Sequence, residues 1–227
     1  MQAPVEISVI IPYYNHSAFI QDAVQSAVDQ EDVLLEIVIV DDGSTDDLKS
    51  ALASVNFPRL RLIRESHAGA AAARNTGVKE SRGSIVAFLD ADDRWSTKRL
   101  VRAVQALSST TTPTMSFAKM QEFLDPQLDT VEASPPTVRA LQGISASTLV
   151  IRREDFTRIG DFDTSLSTGE FIDWYLRATR LGIHTHIDEA VLAYRRIHRA
   201  NRDRWMRSDN RDYARVLMRN LKEGRRG

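Results

Sequence analysis

Short apolar runs alternate with amphipathic segments through the first 107 residues of the chain. The runs VEISVIIP (5–12), LLEIVIV (34–40) and SIVAFL (84–89) are apolar almost throughout, as is typical of strands buried on both faces of a parallel sheet. A shorter strand is predicted over 60–63. Pro12 is expected to end the first strand, because proline cannot continue a hydrogen-bonded ladder.

Apolar positions recur at helical spacing between these runs. They predict helices over 18–30, 44–55, 67–77 and 96–107. Ser17 is the expected N-cap of the first helix, and Ser44 or Thr45 of the second. Strand and helix in alternation indicate βαβ units with right-handed crossovers, so the carboxyl ends of the strands should share one edge of the sheet.

The second half of the chain lacks this regular alternation. We predict strands over 115–123, 144–151, 185–187 and 191–195, helices over 153–159, 169–181 and 201–221, and an irregular proline-rich segment over 125–136. No clean domain boundary is visible. We therefore expect one α/β domain over 1–227, in which helices cover both faces of a mostly parallel central sheet and the second half is mixed.

Composition excludes several classes of protein. The 227 residues are 42% hydrophobic and carry a formal net charge of -1, which gives no field that favours nucleic acid. The absence of cysteine excludes disulfides, thiolate metal sites and cysteine nucleophiles. The N-terminus has no basic n-region, and no segment approaches the roughly 18 apolar residues that span a bilayer. We expect a soluble protein.

Acidic side chains follow the apolar run 84–89. In the sequence LDADD, Asp90 and Asp92 flank Ala91, and residues two apart on an extended segment share a face. Two such carboxylates repel each other unless a cation lies between them, and hard divalent cations prefer oxygen ligands. We therefore predict a Mg²⁺ or Mn²⁺ site that carries a phosphorylated substrate. The alternative is a polar loop in which Asp93 or Ser96 caps the next helix.

Other polar residues should meet these acids at the same edge. Tyr14 follows the first strand and Asp42 follows the second. Open α/β sheets bind ligands in the crevice at the carboxyl ends of their strands. Core packing does not require acids at this edge, so their convergence points to a ligand site.

Four blocks of sequence, in order, carry a family resemblance: SVIIPYYNHSAFIQDAVQSAVDQ (8–30), EIVIVDDGSTDD (36–47), GAAAARNTGVKESRGSIVAFLDADDRW (69–95) and GEFIDWYLRATRLG (169–182). YRRIH (194–198) is a looser match. Together they resemble family-2 glycosyltransferases of the GT-A fold. The resemblance implies metal-dependent transfer of a sugar from a nucleotide-diphosphate donor, most commonly a uridine one, to a glycan, lipid carrier, peptide or metabolite. It implies a nucleotide-binding half over 1–107, an acceptor-side half over 108–200 and a helical tail over 201–227.

The resemblance also assigns roles to individual residues. Tyr14 would stack on the nucleobase, Asp42 would contact it, and Arg74 would reach the pyrophosphate or nucleoside, with an ion pair to Asp90 or Asp42 as the alternative. The implied donor-binding set is Pro12, Tyr14, Asp42, Arg74, Asp90, Ala91 and Asp92.

The implied metal ligands are Asp90, Asp92 and His198. The alternative for His198 is a solvated basic patch with its arginine neighbours. His67 is a weaker donor-binding candidate. The remaining histidines, His16, His184 and His186, are expected to be structural or at the surface.

The acceptor side departs from the family pattern. Inverting members use the second acid of a Glu-Asp pair as general base, and here that position holds Phe171. Glu170 or Asp173 could serve instead, with Glu170 favoured because it begins the helix. The alternative for Glu170 is an interaction with the helix dipole alone. Trp174 and Tyr175 would form either an acceptor platform or part of the core.

Three other classes of protein are alternatives to this family. A haloacid-dehalogenase-type phosphatase places its Asp-x-Asp near the chain start, and a nucleotide-sugar pyrophosphorylase needs an Arg-containing Gly-rich loop after the first strand; neither feature is present. A non-catalytic scaffold on a degenerate GT-A fold stays open because of Phe171. We expect a cytoplasmic enzyme that does not bind nucleic acid, and no membrane contact through the basic tail.

Overall fold

The computed structural model describes residues 7–125, residues 140–198 and Val216. The elements of the first half are β1 (Ile7–Tyr13), α1 (Ile20–Val28), β2 (Leu35–Asp42), α2 (Leu48–Ala51), β3 (Leu60–Glu65), α3 (Ala70–Glu80), β4 (Ile85–Phe88), β5 (Arg94–Trp95) and α4 (Arg99–Ser108).

The second half adds β6 (Thr114–Leu124), β7 (Ala140–Leu141), a 3-10 turn (Ala146–Thr148), β8 (Val150–Arg152), α5 (Arg153–Ile159), α6 (Glu170–Arg180) and β9 (His184–Ile197). Most of the irregular segment predicted over 125–136 lies outside the described residues. The same holds for the predicted tail helix, except that Val216 is helical and buried. Among the described helices, none is both long and apolar enough to cross a bilayer.

The strands of the described residues form one mixed sheet. Its order is β3-β2-β1-β4-β8-β6-β9-β5, and β7 pairs with β6. β3, β2, β1 and β4 are parallel, whereas β8 is antiparallel to both β4 and β6. The prediction of an α/β fold with a parallel first half and a mixed second half is confirmed.

Helices cover both faces of this sheet. In β1, Ile7, Val9 and Ile11 point to a core that they share with α1 and α4. Ile10 points to the opposite core, which contains side chains of α3, α5 and α6. Burial on both faces explains why the strands of the first half are continuous apolar runs rather than alternating ones.

The first strand does not end at Pro12. β1 continues to Tyr13, and Pro12 pairs in register with Val40 of β2. The carbonyl of Ile10 accepts a hydrogen bond from Leu89 on the β4 side. The backbone nitrogen of Pro12, two residues later in β1, is on the same side as the backbone of Ile10. β4 ends at Phe88, before it reaches this position. The missing N–H of proline therefore interrupts no ladder.

The predicted helix caps are also wrong. Phe19 occupies the N-cap position of α1, and the Ser17 N–H instead donates to Asp46 Oδ2 at 2.8 Å. Asp47 caps α2 by accepting the Ser50 N–H at 3.0 Å. Lys98 occupies the N-cap position of α4, so the interpretation of Asp93 or Ser96 as that cap is wrong.

Strand bounds in the second half differ from those predicted. The strand predicted over 144–151 is a 3-10 turn followed by the short β8. The two strands predicted over 185–187 and 191–195 form the single strand β9. Its pairing with β6 shifts register around Lys119, and this irregularity is why the sequence pattern reads as two pieces.

Candidate functional site

Loops from distant parts of the chain meet at the carboxyl edge of the parallel strands. Tyr14 and Asp90 lie in the loops that follow β1 and β4, and Asp42 is the last residue of β2, so all three are at the edge that the βαβ arrangement predicts. The start of α6 and the end of β9 reach the same edge, because Glu170 contacts Arg74 and His198 contacts Asp92.

Arg74 joins the Asp-x-Asp loop to α6. This buried side chain of α3 donates from Nη2 to Asp90 Oδ1 at 2.8 Å and from Nη1 to Glu170 Oε1 at 3.0 Å. Burial by itself would lower the pKa of Arg74, but the charges of Asp90 and Glu170 outweigh it and raise that pKa. Of the two ion pairs suggested for Arg74, the structure contains the one with Asp90.

Asp92 lies beside two histidines. Its Oδ2 is 2.9 Å from His198 Nε2, and ligand atoms of His16, Asp92 and His198 all lie within 4.8 Å of one another. Burial favours a higher pKa for Asp92, but the hydrogen bond with His198 and the proximity of His16 lower it. Asp92 is therefore a carboxylate.

The structure groups two of the three predicted metal ligands, Asp92 and His198, with His16. The third, Asp90, is hydrogen-bonded to Arg74. A carboxylate and two imidazoles are donors that divalent first-row metal ions accept, so these residues fit a metal ion.

Asp93 supports the loop from beneath. Its buried carboxyl accepts hydrogen bonds from Ser147 Oγ at 2.8 Å and from the Arg196 N–H at 3.2 Å. Burial, together with the charges of Asp92 and Asp90, raises its pKa well above the ordinary value. Arg196 also donates to the Asp92 carbonyl, so these contacts fix the backbone that presents Asp92.

Asp42 anchors a second loop of the site. Its carboxylate accepts the N–H groups of Ala68 and Gly69 at 2.7 and 2.9 Å, and it lies 2.8 Å from His67 Nδ1. The His67 ring stacks on Tyr14, with centroids 4.2 Å apart and planes inclined by 24°. Tyr14 and His67, which the sequence placed with the donor, thus form one partly exposed aromatic surface.

The loop after β1 is fixed to the loop after β2. Asn15, which has a positive φ of 54°, accepts the Thr45 N–H at 2.8 Å through its side chain. Asp46 accepts the Tyr13 hydroxyl at 2.6 Å, and Asp41 accepts the Ser44 N–H at 2.8 Å. Asp41 and Asp46 therefore hold the turns.

Pro12 and Ala91, also predicted to bind the donor, differ in exposure. Ala91 is buried in the core cluster, so its backbone is what it can offer a ligand, whereas Pro12 is half-buried.

Helix α6 separates its polar and aromatic residues. Glu170 turns toward Arg74, while Phe171, at the position of the usual base, contacts the rings of Phe117 and Tyr175 at centroid distances of 6.1 and 6.2 Å. Asp173 is buried, and its Oδ2 accepts a hydrogen bond from Arg177 Nε at 2.9 Å.

Trp174 belongs to the core rather than to an acceptor platform. It is fully buried, and its ring stacks on Phe156 with centroids 5.4 Å apart. Tyr175 is half-buried, and its hydroxyl lies 3.0 Å from Thr185 Oγ1.

Sequence reasoning missed His16, Ser147 and Arg196. His16 follows Asn15 in a loop with no metal-binding spacing, and Ser147 lies in a 3-10 turn that was read as a strand. Arg196 was noticed only as one arginine of a basic stretch. None of the three could have been found from local pattern, because each reaches the site through long-range contacts.

Comparison with known proteins identifies the family. A family model described as glycosyl transferase family 2 matches residues 8–128, which is more than half of the chain. The uncharacterised glycosyltransferase YibD of Escherichia coli K12 is 40% identical over 95 residues, which cover 41% of this chain and 28% of YibD. The Escherichia coli UDP-Glc:α-D-GlcNAc-diphosphoundecaprenol β-1,3-glucosyltransferase WfaP is 29% identical over 200 residues, which cover 85% of this chain and 77% of WfaP.

Solved structures agree with the fold. Staphylococcus aureus TarS 1–349 in complex with UDP superposes with a TM-score of 0.72 at 20% identity, over 94% of this chain and 63% of that one. The structure of TarS 1–349 in complex with UDP-GlcNAc superposes on this chain with a TM-score of 0.70 at 21% identity, over 86% of this chain and 59% of that one. The chain spans less than a third of YibD and less than two thirds of TarS 1–349. The fold is the GT-A fold, and the chain belongs to glycosyl transferase family 2.

Proposed function

We propose that this protein transfers a sugar from a nucleotide-diphosphate donor, a UDP-sugar, to an acceptor hydroxyl in a metal-dependent reaction with inversion. The observation that carries the proposal is the meeting of Arg74, Asp92 with His198, and Glu170 at one edge of the sheet. UDP is supported by the name of WfaP and by the TarS complexes.

The aromatic surface of Tyr14 and His67 would receive the nucleobase, since an aromatic ring favours stacking. Asp42 keeps this surface in place through its bonds to the loop 67–69. The pyrophosphate would lie toward Arg74. Among the residues that the structure describes, Arg74 Nε is buried without a hydrogen-bond partner, which leaves a donor for a phosphate oxygen.

Asp92 and His198 would hold the divalent ion. The ion, when bound, stabilises the negative charge that develops on the departing nucleotide diphosphate. The surrounding chain keeps these ligands in place. Arg196 and Ser147 donate hydrogen bonds to the Asp93 carboxyl, and Arg196 also donates to the Asp92 carbonyl. The ring of Phe19 lies 4.5 Å from that of His198.

Glu170 would be the general base that takes the proton from the acceptor hydroxyl. It begins α6, faces the site, and is oriented by Arg74. A phosphate that competes for Arg74 would release Glu170, so donor binding would prepare the base. Asp173 is less suited, because its carboxylate is buried and bonded to Arg177.

The second candidate function is a non-catalytic nucleotide-sugar-binding or scaffold protein. The observation that favours it is Phe171, which occupies the usual base position and packs on core aromatic rings. Both functions predict donor binding, but only the enzyme turns the donor over.

The test is release of UDP by the full chain from UDP-glucose, UDP-galactose and UDP-GlcNAc with Mn²⁺. Each donor is assayed alone and with simple acceptors, including a lipid-linked GlcNAc diphosphate of the class named for WfaP. We expect acceptor-stimulated release with one donor. Binding of UDP-sugars without release under any of these conditions would favour the scaffold.

A further inference from the structure

We propose that His16 is a third protein ligand of the metal ion and that it makes the site select Mn²⁺ and related first-row ions over Mg²⁺. The inference rests on the proposed metal-dependent function. It goes beyond that function by adding a residue that determines which ion binds, and by predicting binding to the protein before any nucleotide is present.

The geometry brings three different donors to one point. Asp92 Oδ2 and His198 Nε2 are 2.9 Å apart, and one ligand atom from each of His16, Asp92 and His198 lies within 4.8 Å of the other two. Two ligands about 2.1 Å from a common ion lie roughly 3 to 4 Å apart, depending on their angle. Small side-chain rotations would therefore suffice to close the three donors around an ion.

The position of His16 is set by its backbone. The His16 carbonyl accepts the N–H groups of Phe19 and Ile20 at 2.9 and 3.1 Å, where α1 begins. The preceding Asn15 is bonded to Thr45 in the loop after β2. This loop is thus held at both sides, and a ligand on a fixed backbone loses little conformational freedom when it binds.

The surroundings of the three donors are largely aromatic, and the cation beside them has its own carboxylate partners. The rings of His16 and His198 meet edge to face with centroids 5.7 Å apart, and Phe19 contacts both. Arg196 is the nearby cation, but its guanidinium is paired with Asp22 and Asp125 and lies over the Phe19 ring. Its charge is therefore compensated by carboxylates other than Asp92.

Donor chemistry converts this geometry into selectivity. Mg²⁺ prefers oxygen ligands, keeps several waters and dehydrates reluctantly, so two imidazoles suit it poorly. Mn²⁺ binds imidazole less tightly than Zn²⁺ or Co²⁺ does, but all three ions accept a site of two histidines and one carboxylate. A site made only of the carboxylate oxygens of Asp90 and Asp92 would suit Mg²⁺ as well as Mn²⁺.

The test measures metal binding to the full chain without nucleotide. Free Mn²⁺ is followed by electron paramagnetic resonance, and Co²⁺ by its visible absorption, for wild type, His16→Ala and His16→Asn. The control is His186→Ala, which removes an exposed histidine near the start of β9, at the opposite end of the strand from His198. We expect both His16 variants to weaken Mn²⁺ binding at least about tenfold and to alter the Co²⁺ spectrum. Loss of a residue that only supports a metal ligand already lowers metal affinity by about 10- to 100-fold. The control should bind as wild type does.

The outcomes separate the inference from the proposed function. If wild type binds Mn²⁺ and both folded His16 variants bind it equally well, His16 is not a ligand, while the metal-dependent function stands. Mg²⁺ affinity is measured by the bound Mn²⁺ that added Mg²⁺ releases from wild type. If Mg²⁺ proves to bind as tightly as Mn²⁺, the proposed selectivity is wrong. If wild type binds no divalent ion even with UDP present, both the inference and the metal-dependent function are overturned.

Discussion

Arg74 holds two carboxylates to which the proposed mechanism gives different roles. Asp90 follows β4 in the half of the chain that we propose binds the donor, and Glu170 begins α6 on the proposed acceptor side. A buried arginine that loses one partner leaves a charge to be compensated by another group. The incoming diphosphate is such a group. Arg74 would therefore bond to the donor and release Glu170, the proposed base, in the same movement.

Glu170→Gln tests this role. We expect acceptor-dependent transfer to fall by about 10²- to 10⁴-fold, the usual contribution of a general base, while UDP affinity is retained. The measurement is steady-state transfer together with calorimetric UDP binding. Asp173→Asn is the matched variant on the same helix, and we expect it to affect stability more than chemistry. Full activity in Glu170→Gln with a folded but inactive Asp173→Asn would assign the base to Asp173.

Asp92→Asn tests the metal site. Because this substitution removes the charge that attracts the ion, we expect it to abolish the Mn²⁺-dependent part of nucleotide binding and to leave the fold intact. Calorimetry with and without Mn²⁺ measures the first effect, and circular dichroism checks the second. Asp161→Asn, a change of the same kind at an exposed site, is the control. Unchanged affinity with Mn²⁺ would remove Asp92 from the set of ligands.

At the scale of elements, the site depends on how closely α3 approaches the sheet, because α3 carries Arg74. Gly77 permits this approach: a Cβ added there would lie 2.3 Å from Ile10 Cγ2 in β1. The alanines earlier in the helix are small enough to continue the same contact.

Gly77→Ala should therefore destabilise the protein. Overpacking of a buried contact costs about 1 to 3 kcal/mol, and we expect a loss in this range by urea denaturation. The cost should shrink in an Ile10→Ala background, because that substitution removes the methyl group in the way. A Gly77→Ala protein as stable as wild type would mean that α3 lies farther from β1 than described here.

Helix α4 and strand β9 are joined by a bidentate salt bridge. Arg102 donates to both carboxylate oxygens of Asp188, at 2.6 and 2.7 Å. These hydrogen bonds outweigh the effect of burial and lower the pKa of Asp188 below its ordinary value of 3.8. A depressed carboxyl pKa adds stability that is present above pH 3.8 and is lost as the pH falls through the folded-state value.

Asp188→Asn should accordingly cost about 0.5 to 1 kcal/mol near pH 7, a modest amount because Arg102 is half exposed to water. The difference in unfolding free energy from wild type should shrink as the pH is lowered below 3.8. Urea denaturation at several pH values between 7 and 3 measures it. A cost that stays constant over this range would show that the lost contact is not ionic.

At the scale of the molecule, sequence and structure agree best where a residue's surroundings are local. Continuous apolar runs predicted β1, β2 and β4, because strands buried on both faces are apolar at nearly every position. β9, with the sequence HTHIDEAVLAYRRI, is polar at one end and irregular in register, so its pattern suggested two strands. The two-residue β5 is too short to produce any pattern.

The candidate site shows the same division. Asp90 and Asp92 could be found because they follow a predicted strand, but their partners could not be chosen from sequence. Asp92 and His198 are 106 residues apart, and only the family resemblance suggested that they meet. From the sequence alone, Asp90 and Asp42 were alternative partners of Arg74. That Arg74 bonds to Asp90, and that His16 lies beside Asp92, depends on the three-dimensional path of the loops.

The most direct test of the proposed function is a calorimetric titration of the wild-type protein with UDP, TDP, GDP and CDP, each with and without Mn²⁺. We predict that UDP binds most tightly and that its affinity depends on Mn²⁺, because the ion would link the diphosphate to Asp92 and His198. Absence of binding by all four nucleotides to well-folded protein would contradict the proposal of a nucleotide-sugar-dependent glycosyltransferase.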